Sequence, residues 1–175
     1  ASRKAIAQES INNLEGHVDS LLLVSNDRLV SLSEKNLPLT KAFLLADEVL
    51  RQIVFSVLDL VLKPSLVAVG FADIRAVLKN SGRGFFGQGL GRGQNRSQEA
   101  VLKAISSPLL EMSPEKASRI LFNVSARKLK LSEVDIVASL VTKNILPDAR
   151  IIFGAREDES LKAEEMKVTL VATGF

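Results

Sequence analysis

A literal G-x-G-x-x-G stands at Gly82, Gly84 and Gly87, within SGRGFFGQGLGRGQNR, and six glycines fall between Gly82 and Gly93. This spacing grips a pyrophosphate only where it follows a strand and opens a helix, so that backbone N–H groups and the helix dipole converge on the anion. Here the preceding segment, FADIRAVLKN, sets Ile74, Val77 and Leu78 on one side of a helix. No acidic residue is well placed about 20 positions on to hold a ribose. The glycines therefore predict a strand or loop that another backbone approaches closely, not a phosphate cradle.

Other reactive residues are few. There is no Cys, which removes disulfides, thiol nucleophiles and thiolate metal sites, and the single His, His17, reads as a surface helix residue. No metal is expected, and no nucleophile–base pair marks an autonomous enzyme. A net charge of +3 is mild, but residues 71–110 carry six basic and two acidic side chains. Within them Arg83, Arg92 and Arg96 surround Phe85 and Phe86. Charge plus stacking is how single strands are held, so a basic/aromatic nucleic-acid-binding module is an alternative function. No recognised RNA-binding signature accompanies these residues, and nucleic acid is not the expected partner.

The elements that would carry these residues follow from periodicity. The chain has 175 residues, 46% of them hydrophobic, enough for one domain, or one domain with an appended element, to bury about 70% of its unfolded surface. ASRKAIAQES lacks the apolar core of a signal peptide. The longest apolar run, IVFSVLDLVL, contains Asp59 and is too short to cross a bilayer. No membrane insertion and a soluble, intracellular chain are expected. SRKAIAQESINNLEGHV spaces Ile6, Ile11 and Leu14 as a helix; DSLLLVSN fits a buried strand ending at Asn26; DRLVSL fits a helical turn. Residues 39–64 place Lys41, Glu48, Gln52, Ser56, Asp59 and Lys63 on a narrow polar stripe. Such a helix would be roughly 35 Å long and covered on several sides. It reads either as a central helix joining two layers or domains, or as the core helix of one domain.

Beyond Pro64 the pattern is α/β. A helix at 71–79 leads into the glycines, and NRSQEAVLKAIS forms a helix closed by Pro108. SRILFNVSA is a strand, and SEVDIVASLVTKN is a helix with Ser132 and Asp135 spaced as a capping box. ARIIFGA and MKVTLVATG are strands joined by REDESLKAEE, read as a solvated acidic loop. The predicted class is α/β (α+β), a long central helix packed on a mostly parallel four-stranded sheet with flanking helices.

The order of these segments resembles FtsZ, the bacterial and plastid tubulin-like division GTPase, over essentially all 175 residues. HVDSLLLVSNDRL resembles its strand entering a P-N-D-R/K-L turn, and AFLLADEVLRQIV the start of its central helix. FADIRAVL is similar to the end of its synergy loop, N-x-D-F-A-D-V. NRSQEAVLKAISSPLLE follows N-R-A-x-x-A-x-x-A-I-x-S-P-L-L-E almost throughout, and IIFGA and VTLVATGF resemble the last two strands. Nothing resembles the family's phosphate loop, G-G-G-T-G-x-G. The resemblance implies three parts: 1–38, the last helix and strand of the nucleotide-binding half; 39–64, the central helix; and 65–175, the C-terminal activation and polymerisation domain. The chain reads as a truncated, split or divergent form.

The resemblance also implies sites. Phe43 and Asp47 share a helix face; on their own they read rather as a core aromatic and a solvated carboxylate. In the family, residues at the positions of Asn26, Phe43 and Asp47 contact guanine, and Arg3 stands where an Arg contacts nucleotide. GTP or GDP is the family's ligand, and none is expected on this chain alone, which lacks the phosphate-binding half. The synergy loop polarises the attacking water in the next subunit's site. Here it reads AVGFADIR: Ala68 replaces an Asn, Gly70 replaces the first Asp, and Asp73 remains as the residual catalytic acid. The implied partners are FtsZ-type subunits meeting the synergy-loop face, with self-association open. The implied place is the cytoplasmic division site, or the plastid stroma. The central helix departs from G-V-x-G-I: Ile53 and Ser56 replace its glycines.

Overall fold

The computed structural model describes residues 2–24, 39–106, 114–143 and 145–175, apart from the side chains of residues 2, 39, 42, 43, 45, 46 and 49. The elements are α1 (Ser2–Glu15), β1 (Ser20–Leu22), α2 (Leu39–Leu62), α3 (Phe71–Leu78), β2 (Gly82–Arg92), α4 (Arg96–Ile105), β3 (Arg119–Ala126), α5 (Leu131–Lys143), β4 (Arg150–Glu157) and β5 (Glu165–Thr173). The α/β class is borne out. The sheet has five strands in the order β1-β2-β5-β3-β4. The four expected strands are joined by β1, which lies parallel to the start of β2 with Ser20 opposite Gly82.

Chain connections dictate the pairing. Helix α5 carries the chain from β3 back to a parallel β4, with Ile120 opposite Ile151. Only residues 158–164 then separate β4 from β5. A parallel return needs a crossover of about a dozen residues or more. So β5 runs antiparallel and inserts between β2 and β3, giving parallel pairs at the sheet's ends and antiparallel pairs around β5.

The glycines are explained by what lies on them. Gly87, Gly89 and Gly91 alternate along β2, so all three point to one face. A Cβ on any of them would run into the carbonyl oxygens of Ala104, Ala100 and Arg96 respectively. The backbone of α4 rests directly on a strand without side chains. Phe85 and Phe86 point to opposite faces, and both are buried. Helices α4 and α5 pack together on the glycine side of the sheet. Helices α2 and α3 cover the other, where Val57 and Leu60 meet Ile74, Val77, Leu121 and Val171.

Three local expectations change. The N-cap of α5 is Lys130, not Ser132: the Glu133 carboxylate accepts the Lys130 N–H at 3.0 Å. The loop after β4 is not simply solvated, since Asp158 pairs with Arg156 at 2.6 Å and the Ala163 carbonyl accepts from Arg96 at 2.7 Å. Among its described side chains, helix α2 is covered along one side only. Ile53 and Leu60 are buried, whereas Leu44, Leu50, Val54, Phe55, Leu58 and Leu62 are exposed. The predicted turn over DRLVSL and the stop at Pro108 lie outside the described residues.

Candidate functional site

The loop between α2 and α3 is locked at both ends. Pro64, which offers no N–H to continue the helix, lies just beyond the end of α2 at Leu62. Residues 66–67 then pair with the edge strand: the N–H groups of Leu66 and Val67 donate to the Ala155 carbonyl at 2.8 and 3.0 Å, and the Ala155 N–H donates to the Val67 carbonyl at 3.1 Å. Val69 is buried. It fits because residue 154 is Gly: a Cβ there would meet Val69 Cγ2 at 2.8 Å and Asn123 Oδ1 at 2.7 Å. Ala68 and Gly70 stay exposed.

Gly70 is the N-cap of α3, with extended backbone at φ −83°, ψ 165°. Its carbonyl accepts from the N–H groups of Asp73 and Ile74 at 3.0 and 3.2 Å. The Asp73 side chain folds back, Oδ2 accepting the Gly70 N–H at 3.0 Å. This reach-back satisfies a donor that would otherwise be orphaned, and it ties up one oxygen of the loop's one acid. A carboxylate in the first turn also suits the helix dipole.

The next residue along β4 joins the loop anchor to α2. Arg156, buried beside Ala155, pairs with Asp158 at 2.6 Å and lies 3.8 Å from Asp59 of α2. Burial opposes ionisation of Asp158, but hydrogen bonds from Ser160 and the charges of Arg156 and Lys167 hold its carboxyl below the ordinary range. Burial likewise pulls Lys167 below the usual lysine range, against the attraction of Asp158. A second clasp on α2 is Gln88 Nε2, which donates to Ser56 Oγ at 2.9 Å and Thr169 Oγ1 at 3.4 Å. Ile53 packs into the core where the family pattern has glycine.

Beside the loop runs an apolar groove of about 450 Å³, walled by Leu66, Val67, Leu131, Val134, Ala138 and Phe153. Phe153 stacks on buried Phe122 with centroids 5.9 Å apart. Leu66 is 66% exposed, Phe71 69% and Leu131 79%.

The remaining expected site residues are not assembled here. Arg3 on α1 and Asp47 on α2 are exposed, and neither lines this groove. Asn26 and the side chain of Phe43 lie outside the described residues. No group of three or more His, Asp or Glu side chains suits a metal ion among the described residues, and no helix there is long and apolar enough to cross a membrane. The nucleic-acid reading is overturned. Phe85 and Phe86 are core residues. Arg83 pairs with Glu15 and Arg92 with Glu165. Arg96 is buried, bidentate to Glu133 at 2.7 and 2.8 Å, with three carbonyls completing its donors. Sequence reasoning missed Gly154, Arg156 and the groove. A single Gly inside an apolar strand was the available signal for the first.

Comparisons with known proteins identify the relatives of this fold. Residues 82–175 match the family model described as the FtsZ family, C-terminal domain. The mitochondrial division protein fszA of Dictyostelium discoideum is 37% identical over 174 residues, which is 99% of this chain and 33% of that protein. An FtsZ dimer from M. jannaschii superposes with TM-score 0.84 at 37% identity, covering 95% of this chain and 48% of that one. A point mutant of M. jannaschii FtsZ gives TM-score 0.85 at 37% identity, over 96% of this chain and 50% of its own. The chain thus spans about a third of the curated relative and about half of the solved FtsZ chains. It belongs to the FtsZ family and carries that family's C-terminal domain.

Proposed function

We propose that this chain is the polymer-contacting part of a tubulin-like division GTPase and is not a GTPase by itself. It presents the loop at 65–70 and the adjoining groove to the nucleotide-bearing end of the next subunit. The parts are a remnant of the nucleotide-binding half over 1–38, the central helix over 39–64 and the activating domain over 65–175. Exposure of α1 and of the outer side of α2 supports this division. In a complete protein, Arg3, Asn26, Phe43 and Asp47 would face the base of GTP or GDP. The site of action is a cytoplasmic or organellar division site, in keeping with the name of the Dictyostelium relative.

One observation carries the reading. The loop is pinned to β4, yet the one acid beside it, Asp73 in the first turn of α3, has an oxygen engaged by the Gly70 N–H at 3.0 Å, and position 70 itself bears no side chain. Phosphoryl transfer to water depends on groups that position the water and meet developing charge. A loop of preserved shape with a missing carboxylate docks without activating. The test is to add the chain to polymerising FtsZ subunits with GTP. It should co-sediment with short filaments while turnover per filament end falls. Stimulated turnover, or no binding at all, contradicts the proposal. Calorimetry with GTP on the isolated chain should show no micromolar binding.

A further inference from the structure

At the end of the sheet away from the activating loop, a second concavity of about 760 Å³ opens between α3 and the first residues of β3 and β4. Four cations line it: Arg75 and Lys79 from α3, Arg119 from β3 and Arg150 from β4, against one carboxylate, Asp148. Arg75 and Lys79 are one helical turn apart, a spacing at which like charges destabilise a helix. Arg119 and Arg150 are register partners on adjacent parallel strands, where like charges directly opposed are again unfavourable. Seven cations elsewhere, Arg51, Lys63, Arg83, Arg92, Arg96, Lys103 and Arg156, have carboxylate partners. Among the described residues, none of these ion pairs includes a cation of the concavity.

One of the cations is anchored: Arg119 Nη1 donates to the Lys79 carbonyl at 2.8 Å, which closes the C-terminus of α3. Lys79 is itself fixed as the C-cap, its N–H bonded to the Arg75 carbonyl. The floor is made of Ala72 and Ala76, side chains small enough for an extended chain to lie close.

We propose that this concavity binds an extended acidic peptide segment. Carboxylates two residues apart in an extended chain are separated by about 6.6 Å. Positions four apart on a helix rise about 6 Å. Successive acidic side chains can therefore match the spacing of Arg75 and Lys79. No aromatic lines the concavity, so the stacking that holds single-stranded nucleic acid is missing. The proposal is independent of the activating loop, and its failure leaves that reading untouched.

The experiment measures binding of a fluorescein-labelled alternating Glu-Gly peptide to the chain by anisotropy, beside a poly-dT strand of equal charge. The expected result is saturable peptide binding at low salt, weakened as salt screens it, and tighter than binding of poly-dT. Arg75→Glu with Arg150→Glu should weaken peptide binding at least about tenfold. Arg150→Gln alone, free of peptide, should raise the thermal midpoint by relieving the opposed charges, which shows that loss of binding is not loss of fold. Equal or tighter binding of poly-dT, an unaffected charge-reversed protein, or no peptide binding at low salt overturns the proposal. So does salt-sensitive self-association lost in the charge-reversed protein, which would assign the surface to a second copy.

Discussion

The body formed by β2–β5 with α4 and α5 and the segment formed by α1, β1 and α2 solve the same problem with different completeness. In the body, α4 lies on a strand stripped of side chains, and the buried Arg96 has every donor satisfied by Glu133 and three carbonyls. In the other segment, α1 is solvated along nearly its whole length. Strand β1 adds three residues to an edge, held by Asp19, whose carbonyl and carboxylate cap the turn at Asn80, Ser81 and Gly82. Helix α2 meets the sheet through two polar clasps and a thin apolar seam. The body buries its core within itself; the segment leaves the apolar side chains Leu44, Leu50, Val54, Phe55, Leu58 and Leu62 exposed.

The contrast can be broken first at Gly89. Gly89→Val forces atoms into the Ala100 carbonyl, and overpacking against backbone should cost about 3 kcal/mol or more. Urea unfolding should show a midpoint lowered by the equivalent of about 3 kcal/mol.

Comparable in size is Glu133→Gln, which strands a buried guanidinium; breaking a buried pair costs about 3–5 kcal/mol. Hydrogen bonds from Arg96 hold the Glu133 carboxyl below its ordinary value, despite burial. A lowered folded value means the pair's stabilisation is fully present above the unfolded carboxyl pKa of about 4.3. It is lost as pH falls through the folded value. The native chain should lose stability steeply below that range, and Glu133→Gln should lose less.

A smaller effect is expected at the α2 clasp. Gln88→Ala removes the bond to Ser56, and a net hydrogen bond is worth about 1 kcal/mol. Smallest of all, Leu58→Ser on the outward side of α2 should change the stability of this chain by less than about 0.5 kcal/mol. A large loss there would mean that α2 is already covered, by self-association, and analytical ultracentrifugation would reveal it.

Much of the body was legible because its signals are local. Alternating glycines, a helix opening at N-R-S-Q-E and alternating strands each fix an element without distant information. The seat of the loop between α2 and α3 was not legible, since it depends on Val69 finding Gly154, about 85 positions away. The cap of α5 was misplaced because Glu133 serves two masters. Ser132 and Asp135 fit the local pattern, but Arg96 draws Glu133 inward, and the cap moves with it to Lys130. The basic and aromatic residues around 83–96 misled for the same reason, because composition does not reveal which charges are already paired.

The central claim is that the loop keeps its shape and lacks a carboxylate. Gly70→Asp with Ala68→Asn restores both lost side chains. The backbone at Gly70 accepts any L-residue, and a Cβ there meets only Asp73 Oδ2 at 3.5 Å. A single positioned group of this kind commonly contributes 10²–10³ in rate, about 3–4 kcal/mol. Mixed with FtsZ subunits and GTP, the double variant should stimulate turnover by about a hundredfold over the native chain at equal docking affinity. Equal stimulation by the two proteins, at equal affinity, would contradict the account.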